Sequence, residues 1–407
     1  MDFQTITEID VKDKTILLRV DLNVPRQNNT VSDTTRIERL LPTITYLREQ
    51  GAKILILSHF GRPEGEQNPE MSLAFLTPIL EKCWDCSVQF SPDCIGDVAQ
   101  DIANSAKSGD VILLENLRFH KGERANDSDF AKSLAALGDI YVNDAFSASH
   151  RAHASTTGIT QYLPSAAGLL MQEELTALGK SLNTPQTPVL AVAGGSKIST
   201  KINLLKNLSK QVDYLVLGGG MANTFLYAQG NSMGRSLCEK DMADTARDIM
   251  YAAARVGCEI ILPRDVVTVK ELKENATYDI VDVNNIADDQ MAIDIGPKSI
   301  AYISEKIKGS KTVIWNGPMG VFEIKPFDNG TNEIAKIVAT QTVEKKCVSI
   351  AGGGDTIAAL ENAGTTADFS YISTAGGAFL EWLEGKGLPG ILALSKENPP
   401  TKKCRHL

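Results

Sequence analysis

Val348-Ser-Ile-Ala-Gly-Gly-Gly-Asp-Thr-Ile-Ala-Ala-Leu360 opens with a short apolar run, passes three glycines and leaves through Asp355 and Thr356 into good helix formers. The pattern predicts a strand, a tight loop and a helix N-terminus. Such a junction suits an anion. Glycines let backbone N–H groups approach a phosphate closely, first-turn N–H groups lack intrahelical acceptors, and the helix dipole adds positive potential. Asp355 beside it could hold a Mg2+ that bridges phosphates. Taken alone, the same stretch also fits an ordinary glycine-rich turn with Asp355 or Thr356 as N-cap.

Working outward, short Val/Ile/Leu runs alternate with helical patterns throughout. Thr15–Val20 precedes a helix expected over Thr35–Gln50, Lys53–Ser58 precedes Ser72–Lys82, and Val111–Glu115 precedes Asp127–Leu137. Further strands are expected at Val189–Ala193, Asp213–Leu217, Glu259–Leu262, Thr312–Trp315 and Val348–Ala351. Continuous apolar strands with helices between them mean parallel sheets covered on both faces. Gly168–Leu182 reads as a helix and Asn183–Pro188, with two prolines, as a linker. The chain is therefore expected to be α/β, with two doubly wound parallel-sheet lobes joined near residue 185.

The 407 residues suffice for about two or three domains with real cores. A net charge of -9 argues against nucleic acid or an anionic membrane surface as the main partner. Met1–Lys14 is polar and unlike a secretory signal, and no stretch reaches the roughly 18 apolar residues of a membrane helix, so the cytoplasm is the expected location. The seven cysteines fit reduced thiols. Cys83, Cys86 and Cys94 include a CxxC spacing, but no second pair and no nearby histidine completes a zinc set. Cys404 sits fourth from the end, yet Arg405 and His406 occupy the aliphatic positions of a prenylation signal, which leaves a solvated basic tail.

Ligands of open parallel sheets sit beyond the carboxyl ends of the strands. In the first half those ends carry Asp21 and Asn23; Ser58, His59, Gly61 and Arg62; Glu115, Asn116 and Arg118; and Asn143, Asp144, His150, Arg151 and His153, with Arg36 opening the first helix. Arginine fits carboxylate and phosphate bidentately, so the set points to a small, multiply anionic ligand. In the second half the ends carry glycine: Gly194 and Gly195 before Lys197 and Lys201, Gly218–Gly220, Gly317 and Gly320, and Gly352–Gly354. Adjacent glycine loops suit a nucleotide. Familiar nucleotide signatures are nevertheless missing. Glu174 stands where a Walker A motif ending at Gly179-Lys180-Ser181 needs its first glycine, and Asn223 replaces the last glycine of a dinucleotide fingerprint.

These residues together resemble one family, phosphoglycerate kinase. The resemblance rests on Arg19–Pro25, Ser58–Pro63, Leu114–Phe119, Val142–Phe146, His150–Ser155, Gly194–Lys201, Gly218–Phe225, Trp315–Glu323, Gly352–Thr356 and Ser373–Glu381, which run in family order across nearly the whole chain. Ala375, where the family commonly has a third glycine, and Arg264, where a small apolar residue is usual, depart from it.

The resemblance implies two Rossmann-like lobes and phosphoryl transfer between 1,3-bisphosphoglycerate and ADP, giving 3-phosphoglycerate and ATP. The first lobe would be residues 1–170, completed by about 390–407. A connecting helix and hinge would occupy 171–187 and the nucleotide lobe 188–389. Asp21, Leu22, Asn23, Arg36, His59, Phe60, Gly61, Arg62, Arg118, Arg151 and His153 would bind the glycerate substrate. Gly195, Lys197, Lys201, Gly219, Leu237, Ile293, Asn316, Glu323, Gly353, Gly354, Asp355 and Thr356 would bind the nucleotide, with Asp355 on Mg2+. Arg36, Lys197, Lys201, Gly353 and Gly354 would act in catalysis. A monomer that closes about its hinge is expected, because an open site would waste ATP by hydrolysis.

Overall fold

The apolar runs of the sequence become strands buried on both faces: Leu17, Leu18, Ile54 to Leu57, Ile112 to Leu114 and Leu190 to Ala193 are all essentially inaccessible to solvent. The computed structural model describes residues 3–27, 30–182 and 184–396. The basic tail, with the final residues of the 390–407 segment, lies outside the described residues, as does Asn183 at the start of the expected linker. The chain forms two compact units: one takes it to Leu175 and resumes at Gly387, and the other is Thr176–Lys386. The division at Leu175 falls within the helix Leu169–Leu182.

In the first unit the strands are β1 (Thr15–Arg19), a short antiparallel hairpin of β2 (Arg26–Gln27) and β3 (Thr30–Val31), β4 (Lys53–Leu57), β5 (Val88–Ser91), β6 (Val111–Leu114), β7 (Ile140–Asn143) and β8 (Ser165–Ala167). Six of them form a sheet in the order β5-β6-β4-β1-β7-β8, with every pairing parallel. The central strand is β1: Leu17 stands level with Leu55 on one side and Tyr141 on the other. The chain leaves β1 toward β4 and later returns on its other flank as β7. That reversal opens a crevice at the carboxyl end of β1.

The expected helix over Thr35–Gln50 is instead two helices, Thr35–Glu38 and Leu41–Glu49, with Pro42 in the first turn of the second. Proline has no N–H to continue the ladder and its ring crowds the carbonyl four residues back, so the helix restarts there. Pro78 acts alike: Leu73–Leu76 is a 3-10 turn and the α-helix is Thr77–Trp84, where one helix over Ser72–Lys82 was expected.

The second unit repeats the plan. Its strands are β9 (Val189–Ala193), β10 (Tyr214–Leu217), β11 (Glu259–Ile261), β12 (Asp265–Val269), β13 (Asp279–Asp282), β14 (Met291–Ile295), β15 (Thr312–Asn316), β16 (Val348–Gly352) and β17 (Tyr371–Ser373). The main sheet, β11-β10-β9-β15-β16-β17, is wholly parallel and reverses about β9. A separate antiparallel sheet, β13-β12-β14, is an addition to the expected plan. Arg264, the departure noted in the sequence, precedes it and stacks on the Tyr302 ring at 3.4 Å.

The glycines at the strand ends bring backbones together. A Cβ on Gly317, which has φ +101°, would lie 2.2 Å from the Gly194 carbonyl oxygen. The Gly194 N–H in turn donates to the Asn316 carbonyl at 2.9 Å. The loops after β9 and β15 therefore touch without intervening side chains. Gly317→Ala meets both a left-handed backbone and a backbone collision, and a loss of about 3 kcal/mol is expected. Urea unfolding followed by far-ultraviolet circular dichroism checks this, and an unchanged midpoint would mean that the two loops are free to separate.

Candidate functional site

In the first unit the crevice beyond β1 is built around a buried cation. Arg19 ends the strand fully buried; its Nε donates to Ser155 Oγ at 3.0 Å, one Nη lies 3.0 Å from His59 Nδ1, and the other bonds to the Val20 carbonyl. Buried Glu123 takes the Ser155 N–H at 2.9 Å and its hydroxyl at 2.6 Å, and lies 3.7 Å from His153 Nδ1. Ser155 thus relays between a guanidinium and a carboxylate, which keeps both supplied with partners away from water. Across the crevice, Arg36 donates to Asp21 at 2.9 Å and to the Asn23 carbonyl at 3.0 Å. Asp21 also receives the Ser147 hydroxyl, and Asn23 Oδ1 takes the Gly61 N–H at 3.0 Å.

The electrostatics of this crevice call for an anion. Burial lowers the Arg118 guanidinium to about 10, and neighbouring Arg19 and Arg151 push it the same way. One of its Nη groups donates to the Gly61 carbonyl at 2.6 Å, while its buried Nε has no partner among the described residues. Burial also takes His153 down to about 4, helped by Arg19, Arg118 and Arg151. His59 is driven well below its usual range by burial and Arg19. Both imidazoles are therefore neutral at pH 7 and serve as hydrogen-bonding groups. Burial pushes the Asp21 carboxyl up, but His59, Arg36 and Ser147 outweigh it and hold the group low.

Two other expected residues contribute differently. Leu22 is fully buried, its N–H on Ser58 Oγ at 3.0 Å, and Phe60 stacks edge-on against Phe75. Arg62 is exposed and bonds to none of the described residues, and exposed Arg151 donates to His150 at 3.0 Å.

In the second unit the loops beyond β9, β15 and β16 interlock. Lys201 Nζ donates to the Gly194 carbonyl at 2.6 Å and to Asn316 Oδ1 at 2.7 Å, and Asn316 Nδ2 reaches the Gly352 carbonyl at 2.7 Å. Burial lowers the Lys201 ammonium to about 8, with Asp355 pulling it back up. The helix after the glycines is Gly354–Asn362, with Gly353 in the N-cap position at φ 102° and no side-chain cap. Neither Asp355 nor Thr356 is the N-cap. Thr356 Oγ1 instead accepts the Gly317 N–H at 2.7 Å, tying the helix to the loop after β15. The first-turn N–H groups are left for an incoming acceptor.

Beside this helix lies a cavity of about 390 Å³, lined among others by Gly195, Gly219, Leu237, Ile293, Glu323 and Asp355. Lys201, Asn316, Gly353, Gly354 and Thr356 are not part of its lining. Lys197 is exposed on the same loop and lines no part of the cavity. Glu239 fixes that loop by taking the Ser199 N–H at 3.0 Å and its hydroxyl at 2.5 Å.

Sequence reasoning missed several members of these sites. Arg19, Ser155 and Glu123 support the first crevice, and the available signal was an arginine inside the apolar run Thr15–Val20, since a strand buried on both faces must supply such a cation with partners. Asp294, whose carboxyl burial raises to about 7, stands in the cavity wall of the second unit with one oxygen on the Gly330 N–H at 2.7 Å. It belongs to β14, in the antiparallel sheet that the sequence left unmarked.

A family model described as phosphoglycerate kinase matches residues 6–386. A phosphoglycerate kinase of Rhodospirillum centenum is 58% identical over 394 residues, which is 97% of this chain and 100% of that protein. One of Sinorhizobium fredii is 55% identical over 398 residues, 98% of this chain and 100% of the other. The solved structure of phosphoglycerate kinase from Coxiella burnetii superposes with a TM-score of 0.91 at 43% identity, covering 97% of this chain and 100% of that one. The chain belongs to the phosphoglycerate kinase family.

Proposed function

We infer that this chain catalyses the reversible transfer of a phosphoryl group from 1,3-bisphosphoglycerate to ADP, giving 3-phosphoglycerate and ATP, a step of glycolysis and gluconeogenesis. Beyond family membership, the observation that carries the reading is Arg118: a buried guanidinium among other arginines, with its Nε unpaired among the described residues, in the turn after β6 at the carboxyl edge of one sheet. A small phosphorylated carboxylate supplies the missing negative charge and the missing acceptor. Arg36, Arg62, Arg118, Arg151, His59 and His153 hold that ligand, with Asp21 and Asn23 positioning Arg36 and Gly61.

In the second unit Gly195, Gly219, Leu237 and Ile293 receive the adenine, Glu323 the ribose, and Lys197, Lys201, Asn316 and the N–H groups of Gly353–Thr356 the phosphates. Asp355 is exposed at the cavity wall and accepts no hydrogen bond among the described residues, which fits a carboxylate that would hold a Mg2+. When bound there, the ion neutralises phosphate charge. The reading also takes the chain to act as a cytoplasmic monomer; no described helix is long and apolar enough to cross a membrane.

The acceptor in the ATP-consuming direction is a carboxylate, already ionised at pH 7. No general base is needed, which agrees with two neutral histidines engaged by arginine and glutamate. Rate enhancement then comes from in-line positioning and from cationic groups aimed at the charge on the transferring oxygens. Arg36 serves this from the glycerate side, and Lys197, Lys201, Gly353 and Gly354 from the nucleotide side.

ADP release from Mg-ATP should require 3-phosphoglycerate; turnover with another carboxylic acid but not with this one would reassign the substrate. Arg36→Ala should lower kcat about 10²- to 10³-fold while the KM for 3-phosphoglycerate moves much less. A loss confined to KM would reduce Arg36 to ground-state binding. Lys201 gives a pH signature. Its ammonium is charged below about 8 and neutral above, so ADP affinity should weaken as pH climbs through that value, by up to about tenfold per unit. Calorimetric titrations across this range should show the trend in the wild type and a flat, weaker affinity in Lys201→Ala; a flat wild-type profile would separate Lys201 from the phosphates.

A further inference from the structure

Away from both crevices, the sheet of the first unit brings together three donor atoms that the sequence keeps apart. At its edge, β5 and β6 run in register with Ser91 level with Leu114. The loop after β5 carries Pro92-Asp93-Cys94, and the 3-10 turn Leu117–Phe119 after β6 leads to His120. His120 Nε2 lies 2.8 Å from Asp93 Oδ1 across a separation of 27 residues. With Cys94 Sγ these atoms all fall within 4.8 Å of one another. The CxxC pair Cys83 and Cys86 is not part of this group. The third cysteine of that stretch finds a histidine that only the fold supplies.

We propose that Asp93, Cys94 and His120 form a binding site for a borderline-soft divalent cation of the zinc type, with water in the remaining position. A thiolate, an imidazole and a carboxylate are the ligand types zinc takes, and three protein ligands with one open place is a common arrangement for it. Tetrahedral bonds of ordinary zinc length put neighbouring ligand atoms about 3.3 to 3.6 Å apart. The observed cluster is within roughly an ångström of that, so small side-chain shifts complete it.

The ligands are also held in place. Asp93 Oδ1 takes the Cys94 N–H at 2.7 Å and the Ile95 N–H at 3.4 Å, and the His120 ring stacks on Phe130 with centroids 5.1 Å apart at 28°. The Asp93 and His120 side chains are 36% and 28% exposed while Cys94 is buried, which gives an ion a path from solvent to the thiol beneath. Asp93, Glu123 and Glu115 place negative charge around the thiol. Without a metal, burial keeps Cys94 a neutral thiol. On binding, the S–H bond breaks, the sulfur lone pair forms the metal bond and the proton leaves to solvent; His120 coordinates through Nε2 with its own proton on Nδ1.

The test uses Co2+ as the probe, added to the full, reduced chain without nucleotide. One equivalent should produce a cysteinate-to-cobalt charge-transfer band that Zn2+ abolishes by displacement. Cys94→Ala should lose the band, His120→Ala should raise the Co2+ Kd at least about tenfold, and the double variant Cys83→Ala/Cys86→Ala should keep both band and affinity. None of these residues serves the phosphoryl transfer, so that activity reports that each variant is folded. His120, on the partly exposed side, keeps the test decisive if the buried Cys94→Ala chain does not fold. Absence of the band in the wild type, its survival in Cys94→Ala, an unchanged Kd in His120→Ala, or loss of the band only in the CxxC variant would overturn the proposal. In that case the 2.8 Å contact is simply an Asp93–His120 bond between two loops.

Discussion

Each unit depends on one topological constraint: the chain leaves a central strand, β1 or β9, toward one neighbour and returns on the other side. Helices that follow the two flanking strands must diverge, so the carboxyl end of the central strand cannot be covered by its own connections. Whatever groups stand there face an opening that the backbone cannot fill. The two units share this geometry and differ in what occupies it. Beyond β1 the occupants are arginines and neutral histidines, and beyond β9 they are glycines whose backbones meet directly.

The contrast has a physical consequence. Guanidinium groups crowded beyond β1 repel one another and lose hydration, which is visible in the lowered Arg118 and in the two histidines whose imidazolium forms are disfavoured. Such a site is stabilised most by a compact ligand that is itself multiply charged. Glycine loops ask instead for a ligand with phosphates to meet free N–H groups and a flat apolar part to fill the cavity beside them. Both demands follow from local residues, and they differ between the two units.

Much of this is legible in the sequence. A parallel strand buried on both faces has to be a continuous apolar run, so Leu17, Leu55 and Leu190 mark their strands without any help from context. Glycines and arginines after those runs mark the loops that line the two crevices. What stays hidden depends on contacts between distant segments. Arg19 looks like one residue of a strand until Ser155 and Glu123 are brought beside it. The edge strand Asp279–Asp282 is too short and too polar to announce the antiparallel sheet, so Asp294 goes unnoticed with it. Pro42 and Pro78 do carry a readable signal, and periodicity alone overruns them. His120 and Cys94 become neighbours only because β5 and β6 are paired.

The two lysines of the Gly194–Lys201 loop show why residue type alone leaves roles unassigned. Lys201 is held by two oxygen acceptors, and the fold has already restricted its side chain and stripped much of its water. An anion brought to it would meet a charge that needs little reordering and acts through a poorly screening medium, the condition under which a fixed charge most strongly stabilises a changing one. Lys197 is exposed, so its charge is screened and its side chain must still be ordered when a ligand arrives. The same residue type four positions apart thus offers one preorganised charge and one adaptable charge, and the difference comes from Gly194 and Asn316, which reach Lys201 and leave Lys197 alone.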